Sequence, residues 1–345
     1  MTDFMIVKNC SPLIICCLLT SLLIPLQLHA ANRYCFNLRS GQHAGSASLL
    51  GPRTSSSAMS AKRENFSHAI NQISASFARG ADVDVRAPGD RTNQADWKLI
   101  WSDEFNGRDR SPIDATKWTA QVGGNGWGNQ ELEYYTNRLD NAYQSGGSLV
   151  IKSIKEKYTG ADNVTRDYTS ARLTTRKKFT AKYGRFEARI RIPYGQGLWP
   201  AFWMLGETND SLRWPESGEI DIMENIGREP GIIHGTIHGP GYSGAKGPSS
   251  SYLLTGDQRF ADSFHIFAVE WEPNVIRFYC DGALYKTRTP ADLPAGTAWV
   301  YDHPFFIILN VAVGGSWPGN PDETTVWPQT MLVDYVRVYQ RVVRG

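Results

Sequence analysis

The chain has 345 residues and a formal net charge of +2. That length holds one large domain or two small ones and buries a sizeable core without difficulty. So small a positive charge gives no grounds for a nucleic-acid partner or an anionic membrane surface.

Residues 1–30 read as a secretion signal. Lys8 supplies a basic start, Pro12 to Leu28 is apolar and uncharged, and Leu28-His29-Ala30-Ala31 offers a small-residue cut near Ala30. The apolar run is short for a span and contains Pro25, so no membrane association is expected after cleavage. A lipoprotein reading through Leu13-Ile14-Ile15-Cys16 fits less well, because that cysteine lies inside the apolar run. Cleavage removes Cys10, Cys16 and Cys17 and leaves Cys35 and Cys280, a pair with no disulfide framework and no zinc-ligand spacing. Cys280 shares a strand face with Ile276 and Phe278 and is expected to be a packed free thiol. Residues 31–94 are rich in Ser, Gly, Ala and Arg; between 31 and 93 eight Lys or Arg face four Asp or Glu. Such a stretch buries too little apolar surface to order itself and is expected to be a flexible linker, with a short helix over Phe66–Phe77 as its one local pattern.

The folded domain is expected over 95–345, opening with Trp97-Lys98-Leu99-Ile100-Trp101. Apolar residues alternate over Ser148 to Ile154, Gly184 to Ile192, His265 to Trp271, Val275 to Tyr279 and Met331 to Tyr339. Asp281-Gly282, between two such runs, is a hairpin turn. Long amphipathic helices and internal repeats are absent. Many short strands with Gly- and Pro-rich turns predict an all-β, antiparallel two-sheet sandwich. The eleven Trp and fifteen Tyr suit stacking on sugars, although the same rings also fill cores.

Several segments carry candidate chemistry. Gly126-Trp127-Gly128-Asn129-Gln130-Glu131 has glycine on both sides of Trp127, which suits a loop presenting an exposed ring; a plain turn is the alternative. Trp199 and Trp203 are four apart and share a strand face, and Trp214 lies five residues before Glu219. Core packing is the alternative for each tryptophan. The run Gly218-Glu219-Ile220-Asp221-Ile222-Met223-Glu224-Asn225-Ile226-Gly227 has three carboxylates in a strand-forming stretch. Glu219 and Asp221 point to one face. One extra residue, a β-bulge between Asp221 and Glu224, returns Glu224 to that face and turns Met223 inward. The two glutamate Cα atoms are then roughly 13 Å apart, and extended side chains close the carboxyl separation to about 5 Å, the spacing of a retaining rather than an inverting glycosidase. Three like charges so close cannot all ionise freely, so at least one pKa rises, and mutual repulsion is the expected cause. A hydrated, inert edge strand is the alternative. His234 and His238 share one face of the following run, with no third ligand at a metal-binding spacing.

Gly218 to Gly227 closely resembles the signature of glycoside hydrolase family 16, in the bulged form of the laminarinases (endo-β-1,3-glucanases). Trp101-Ser102-Asp103-Glu104-Phe105-Asn106-Gly107, Trp199 to Leu205 and Asn310-Val311-Ala312-Val313-Gly314-Gly315-Ser316-Trp317-Pro318-Gly319 match the same family, and the resemblance covers roughly 97–341. It implies a two-sheet β-jelly roll with a concave cleft, acting on β-glucan. By resemblance Glu219 is the nucleophile, Glu224 the acid/base and Asp221 the residue that hydrogen-bonds a neighbouring carboxyl. Trp127, Asn129, Arg172, Trp199, Trp203, Trp214, His238, Asn310 and Trp317 fall at cleft positions. Arg172 offers a fixed donor fork to sugar hydroxyls; a strand-end salt bridge is its alternative. Family members often bind one structural Ca2+ on the convex side, and Glu104, Gly147 and Asp334 occupy the matching places; plain surface carboxylates are the alternative. No cofactor is expected for catalysis. The implied protein is a secreted monomer that hydrolyses laminarin-like β-1,3-glucan, and mixed-linkage glucan besides. The alternatives are an agarase or carrageenase type specificity within the family, and a non-catalytic glucan-binding module that has lost the acids.

Overall fold

Alternation in the sequence becomes alternation in burial. Along Gly184–Arg191 the glycine, Phe186, Ala188 and Ile190 are buried while Arg185, Glu187, Arg189 and Arg191 stay partly exposed. The computed structural model of the protein describes residues 97–207 and 212–342. The expected signal segment, the 31–94 linker, the Phe66–Phe77 helix and Cys35 lie outside the described residues.

In chain order the first strands are β1 Trp97–Asp103, β2 Thr119–Gln121, β3 Glu133–Tyr135, β4 Ala142–Ser145, β5 Ser148–Thr159 and β6 Thr165–Ser170. They are followed by β7 Arg172–Thr174, β8 Gly184–Arg191, β9 Leu198–Gly206, β10 Glu219–Glu224, β11 Ile232–His238 and β12 Ser249–Leu253. The last are β13 His265–Glu272, β14 Val275–Cys280, β15 Ala283–Arg288, β16 Phe305–Val313 and β17 Gln329–Arg341. The larger sheet runs β15-β14-β13-β8-β17-β5-β6-β3, with β1 on β17 and β4 on β5. The smaller runs β12-β11-β10-β9-β16-β7-β2. Pairing is antiparallel as expected, except that β3 and β6 run parallel. The turn between β14 and β15 is Asp281-Gly282, both left-handed at φ 48° and 79°, as a tight two-residue hairpin demands.

The two sheets close on one apolar layer. From the larger sheet come Phe186, Ile190, Phe267, Trp271, Phe278, Met331 and Val333; the smaller adds Phe202, Met204, Ile220, Ile237, Phe305 and Leu309. Trp271 is fully buried, and its indole N–H donates to Tyr301 O at 3.1 Å, so its burial leaves no polar atom without a partner. Cys280 is the packed free thiol expected, buried with Ile276 and Phe278.

Irregularities in the ladders adjust which side chains face inward. In β17 the register slips between Val333 and Tyr335, and the buried positions change from Met331 and Val333 to Val336 and Val338. The same device in β10 decides the site.

Candidate active site

Strand β10 lies between β9 and β11 in the smaller sheet. Its register slips against both neighbours within Asp221–Glu224. Asp221 faces Thr236 and Trp203, whereas Glu224 faces His234 and Ala201. The expected bulge is present: Ile222 and Met223 both point into the core, and Glu224 returns to the face shared by Glu219 and Asp221.

Each glutamate is held by its own indole. Trp214 Nε1 donates to Glu219 Oε2 at 2.8 Å, and Trp199 Nε1 donates to Glu224 Oε1 at 3.0 Å. His238, opposite Glu219 in the ladder, sets its Nε2 3.0 Å from Asp221 Oδ2 and 4.0 Å from Glu219 Oε1. Trp214 is 49% exposed; a ring that open has an accessible face beside the acids. Trp317 stands edge-on to Trp199 at 5.4 Å and to His234 at 5.2 Å.

On the β16–β7 side, Arg172 is buried between two rings, its Cζ 4.8 Å from the centre of Trp127 and 4.7 Å from that of Trp203. Its Nε donates to Gln121 Oε1 at 2.6 Å, so it is a stacked cation rather than the strand-end salt bridge held open above. Trp203 Nε1 donates to Asn310 Oδ1 at 2.7 Å. Trp127 is presented by three successive left-handed residues, Gly126, Trp127 and Gly128, a path that needs the flanking glycines. Its loop docks on the end of β16 through Ser316 N–H to Asn129 O and Leu132 N–H to Val313 O. Asn129 is exposed, its Nδ2 donating to Glu131 Oε1 at 3.1 Å.

Burial dominates the electrostatics. It raises the pKa of Glu219 and Asp221 well above the carboxylate range, with Asp221's charge adding for Glu219 and Glu224's for Asp221. Glu224 is pushed up to about 7, by burial first and by Glu219 second, against the indole of Trp199. The expected repulsion is therefore real but secondary, because transfer from water disfavours each charge before its neighbours do.

A family model described as "Glycosyl hydrolases family 16" matches residues 128–337. The chain belongs to glycosyl hydrolase family 16. It is 45% identical over 263 residues to a beta-glucanase of Rhodothermus marinus, covering 73% of this chain and 89% of that one. A glucan endo-1,3-beta-glucosidase A1 of Niallia circulans is 37% identical over 281 residues, 75% of this chain but only 40% of the longer relative. Among solved structures, the catalytic domain of an endo-1,3-beta-glucanase (laminarinase) from Thermotoga petrophila superposes with a TM-score of 0.68. It is 48% identical and covers 72% of this chain and 99% of that one. The two sheets described above are those of a family 16 jelly roll, and the protein is a glycoside hydrolase.

Several neighbours of the acids in this family 16 hydrolase carry no signal in the sequence. Gln121 and Tyr135 reach the Arg172 wall from segments far away in the chain, and there Tyr135 meets Glu131, the last residue of the Trp127 loop. Tyr135 OH accepts from Asn310 Nδ2 at 3.2 Å and donates to Glu131 Oε2 at 3.0 Å. His234, which the family resemblance did not mark, lies beside Glu224 in the ladder with Nδ1 3.0 Å from Ser251 Oγ. Among the described residues one trio has metal-type ligand atoms mutually within 4.8 Å: Glu219, Asp221 and His238, the acid site itself. Glu104 is paired with Arg337 at 2.8 and 3.0 Å, and Asp334 with Arg189 at 2.7 Å. Carried on by one step from the Asp103–Val336 pair and by two from the Leu149–Val333 pair, the backbone register brings Glu104 and Gly147 level with Tyr335, the chain neighbour of Asp334.

Proposed function

We propose that this hydrolase cleaves internal β-1,3 linkages of laminarin-like glucan, and of mixed-linkage β-1,3-1,4-glucan, by a retaining double displacement. The observation that supports it is the bulged β10, which brings two indole-held glutamates and one aspartate to a single face. In the first step Glu219 forms a bond from its carboxylate oxygen to the anomeric carbon as the glycosidic C–O bond breaks, and Glu224 gives its proton to the departing oxygen. In the second, Glu224 takes a proton from water, the water oxygen bonds to the anomeric carbon, and Glu219 is released. A carboxyl near 7 is suited to both roles of Glu224. Glu219 needs its charge, and the indole of Trp214 and the imidazole of His238 both favour that charge. Asp221, buried against both, holds a proton that it shares with Glu219 by hydrogen bonding. Trp127, Trp203 and Arg172 with Asn129 and Asn310 form one wall for sugar; Trp214 stands at the Glu219 end of β10, and Trp199 with Trp317 at the Glu224 end.

Glu219→Ala is expected to abolish turnover of laminarin while glucan binding persists. With an activated aryl glucoside, azide should rescue this variant and yield the inverted glycosyl azide; a retained azide, or near-normal laminarin turnover, would remove Glu219 from the nucleophile role.

A structural Ca2+ held by Glu104, the Gly147 carbonyl and Asp334 completes the reading. The donors are all oxygens, as a hard cation requires, and their neighbouring register positions support the grouping. The cation must compete with Arg337 for Glu104. Chelator treatment should lower the melting temperature, and an unchanged melting curve argues against the site. The signal-like first thirty residues support secretion, and the family resemblance supports a monomer.

A further inference from the structure

Beneath the wall that carries Arg172 lies a second pair of carboxyls, apart from the three acids of β10. Glu133, the first residue of β3, has no exposed surface, and Glu131 is 4% exposed. Glu133 Oε2 accepts the Val313 N–H at 2.6 Å. Its Oε1 is buried with no hydrogen-bond partner, and the Glu131 carboxyl lies within hydrogen-bonding reach of the Glu133 carboxyl. Both Glu131 oxygens already accept: Oε1 from Asn129 Nδ2 and Oε2 from Tyr135 OH. Two buried carboxylates cannot face each other without a proton between them, since each would leave a charge unpaired in a low dielectric.

We propose that Glu133 is a positioning residue that stays protonated at neutral pH and donates its carboxyl hydrogen to Glu131, so fixing the chain Glu131–Tyr135–Asn310–Trp203 that shapes the cleft wall. The chain has a fixed direction. Tyr135 gives its proton to Glu131, so its oxygen is left to accept from Asn310 Nδ2. That orients the Asn310 amide with its oxygen toward Trp203 Nε1, and Trp203 is one of the two rings stacked on Arg172. One negative charge on the pair also balances the buried guanidinium; two would exceed it. The groups facing Glu133 are Glu131 and Tyr135 on its own segment, the Val313 N–H of β16, and Arg172 of β7. Burial and the Glu131 charge both push its proton on, in agreement with the geometry. The proposal rests on the cleft reading above only in assigning this wall to sugar binding.

Three variants and one direct observation test it. Glu133→Gln keeps an acceptor for Val313 and a donor for Glu131, so kcat and KM on laminarin should stay at wild-type values. Glu133→Leu removes the donor, and KM should rise about fivefold with kcat little changed, the scale of one lost hydrogen bond. Glu131→Gln should give the same KM increase. A carboxyl whose folded pKa is raised costs stability progressively as pH rises from the unfolded value through the folded one. The wild-type melting temperature should therefore fall relative to Glu133→Gln as pH increases. Equal damage from Gln and Leu, or parallel melting profiles against pH, would overturn the proposal. If the Gln variant does not fold, neutron diffraction on the wild type decides, since a deuteron between Glu133 and Glu131 is required. Melting profiles and the deuteron do not depend on the substrate, so inactivity on laminarin would refute the functional reading and leave this one standing.

Discussion

Trp199 shows how one side chain sets the working pH of another. Its indole N–H favours the charged form of Glu224, opposing the burial that lifts that carboxyl to about 7. Glu224 must carry its proton when the glycosidic bond breaks, so kcat/KM is expected to fall above neutral pH. Trp199→Phe removes the donor and leaves only His238 to oppose burial. The falling limb of the kcat/KM profile should then move to higher pH, which a profile on laminarin will check; an unmoved or lowered limb contradicts the coupling. Arg172 makes the complementary case, because what it touches was not visible in the sequence. Its match to a family segment marked the position, but the two rings that enclose it come from a loop and from β9, and Gln121 from a strand 51 residues away.

At the scale of the strand, the bulge in β10 determines whether there is an active site at all. Inserting one alanine between Met223 and Glu224 adds a step that the bulge does not absorb, and a one-residue slip sends every later side chain to the other face. Glu224 would be driven into the apolar layer. Activity should drop by about 10² to 10⁴, the worth of a general acid/base, and azide should not rescue it. The melting temperature should fall as well, because a carboxyl is forced into the core. This bulge was legible in advance for a local reason: Glu-x-Asp fixes one face, and the methionine at the third position is too apolar for it. The strands over 184–192, 265–271 and 275–279 were legible by the same period of two. The parallel pairing of β3 with β6 was not, since it depends on where two distant short strands meet. Nor was the shared proton at Glu133, whose partners Val313 and Arg172 lie 180 and 39 positions away by simple subtraction of residue numbers.

For the whole molecule, the described strands run from Trp97 to Arg341 and close one core between two sheets. A chain beginning at residue 95 is therefore expected to fold and to keep kcat/KM on laminarin within about twofold, the scatter of a surface change. Loss of activity with an intact fold would show that residues 1–94 contribute to the cleft. The arrangement of the larger sheet has a further consequence for biosynthesis. Strand β17 pairs with β8, β5 and β1 in the middle of that sheet, yet of all the described strands it leaves the ribosome last. Until it emerges, the β1, β5 and β8 ladders have no common partner, and the nascent polypeptide stays loose. Stalled ribosomes displaying the chain up to Val326 should therefore hold a protease-sensitive product, and those displaying it beyond Arg341 a resistant one.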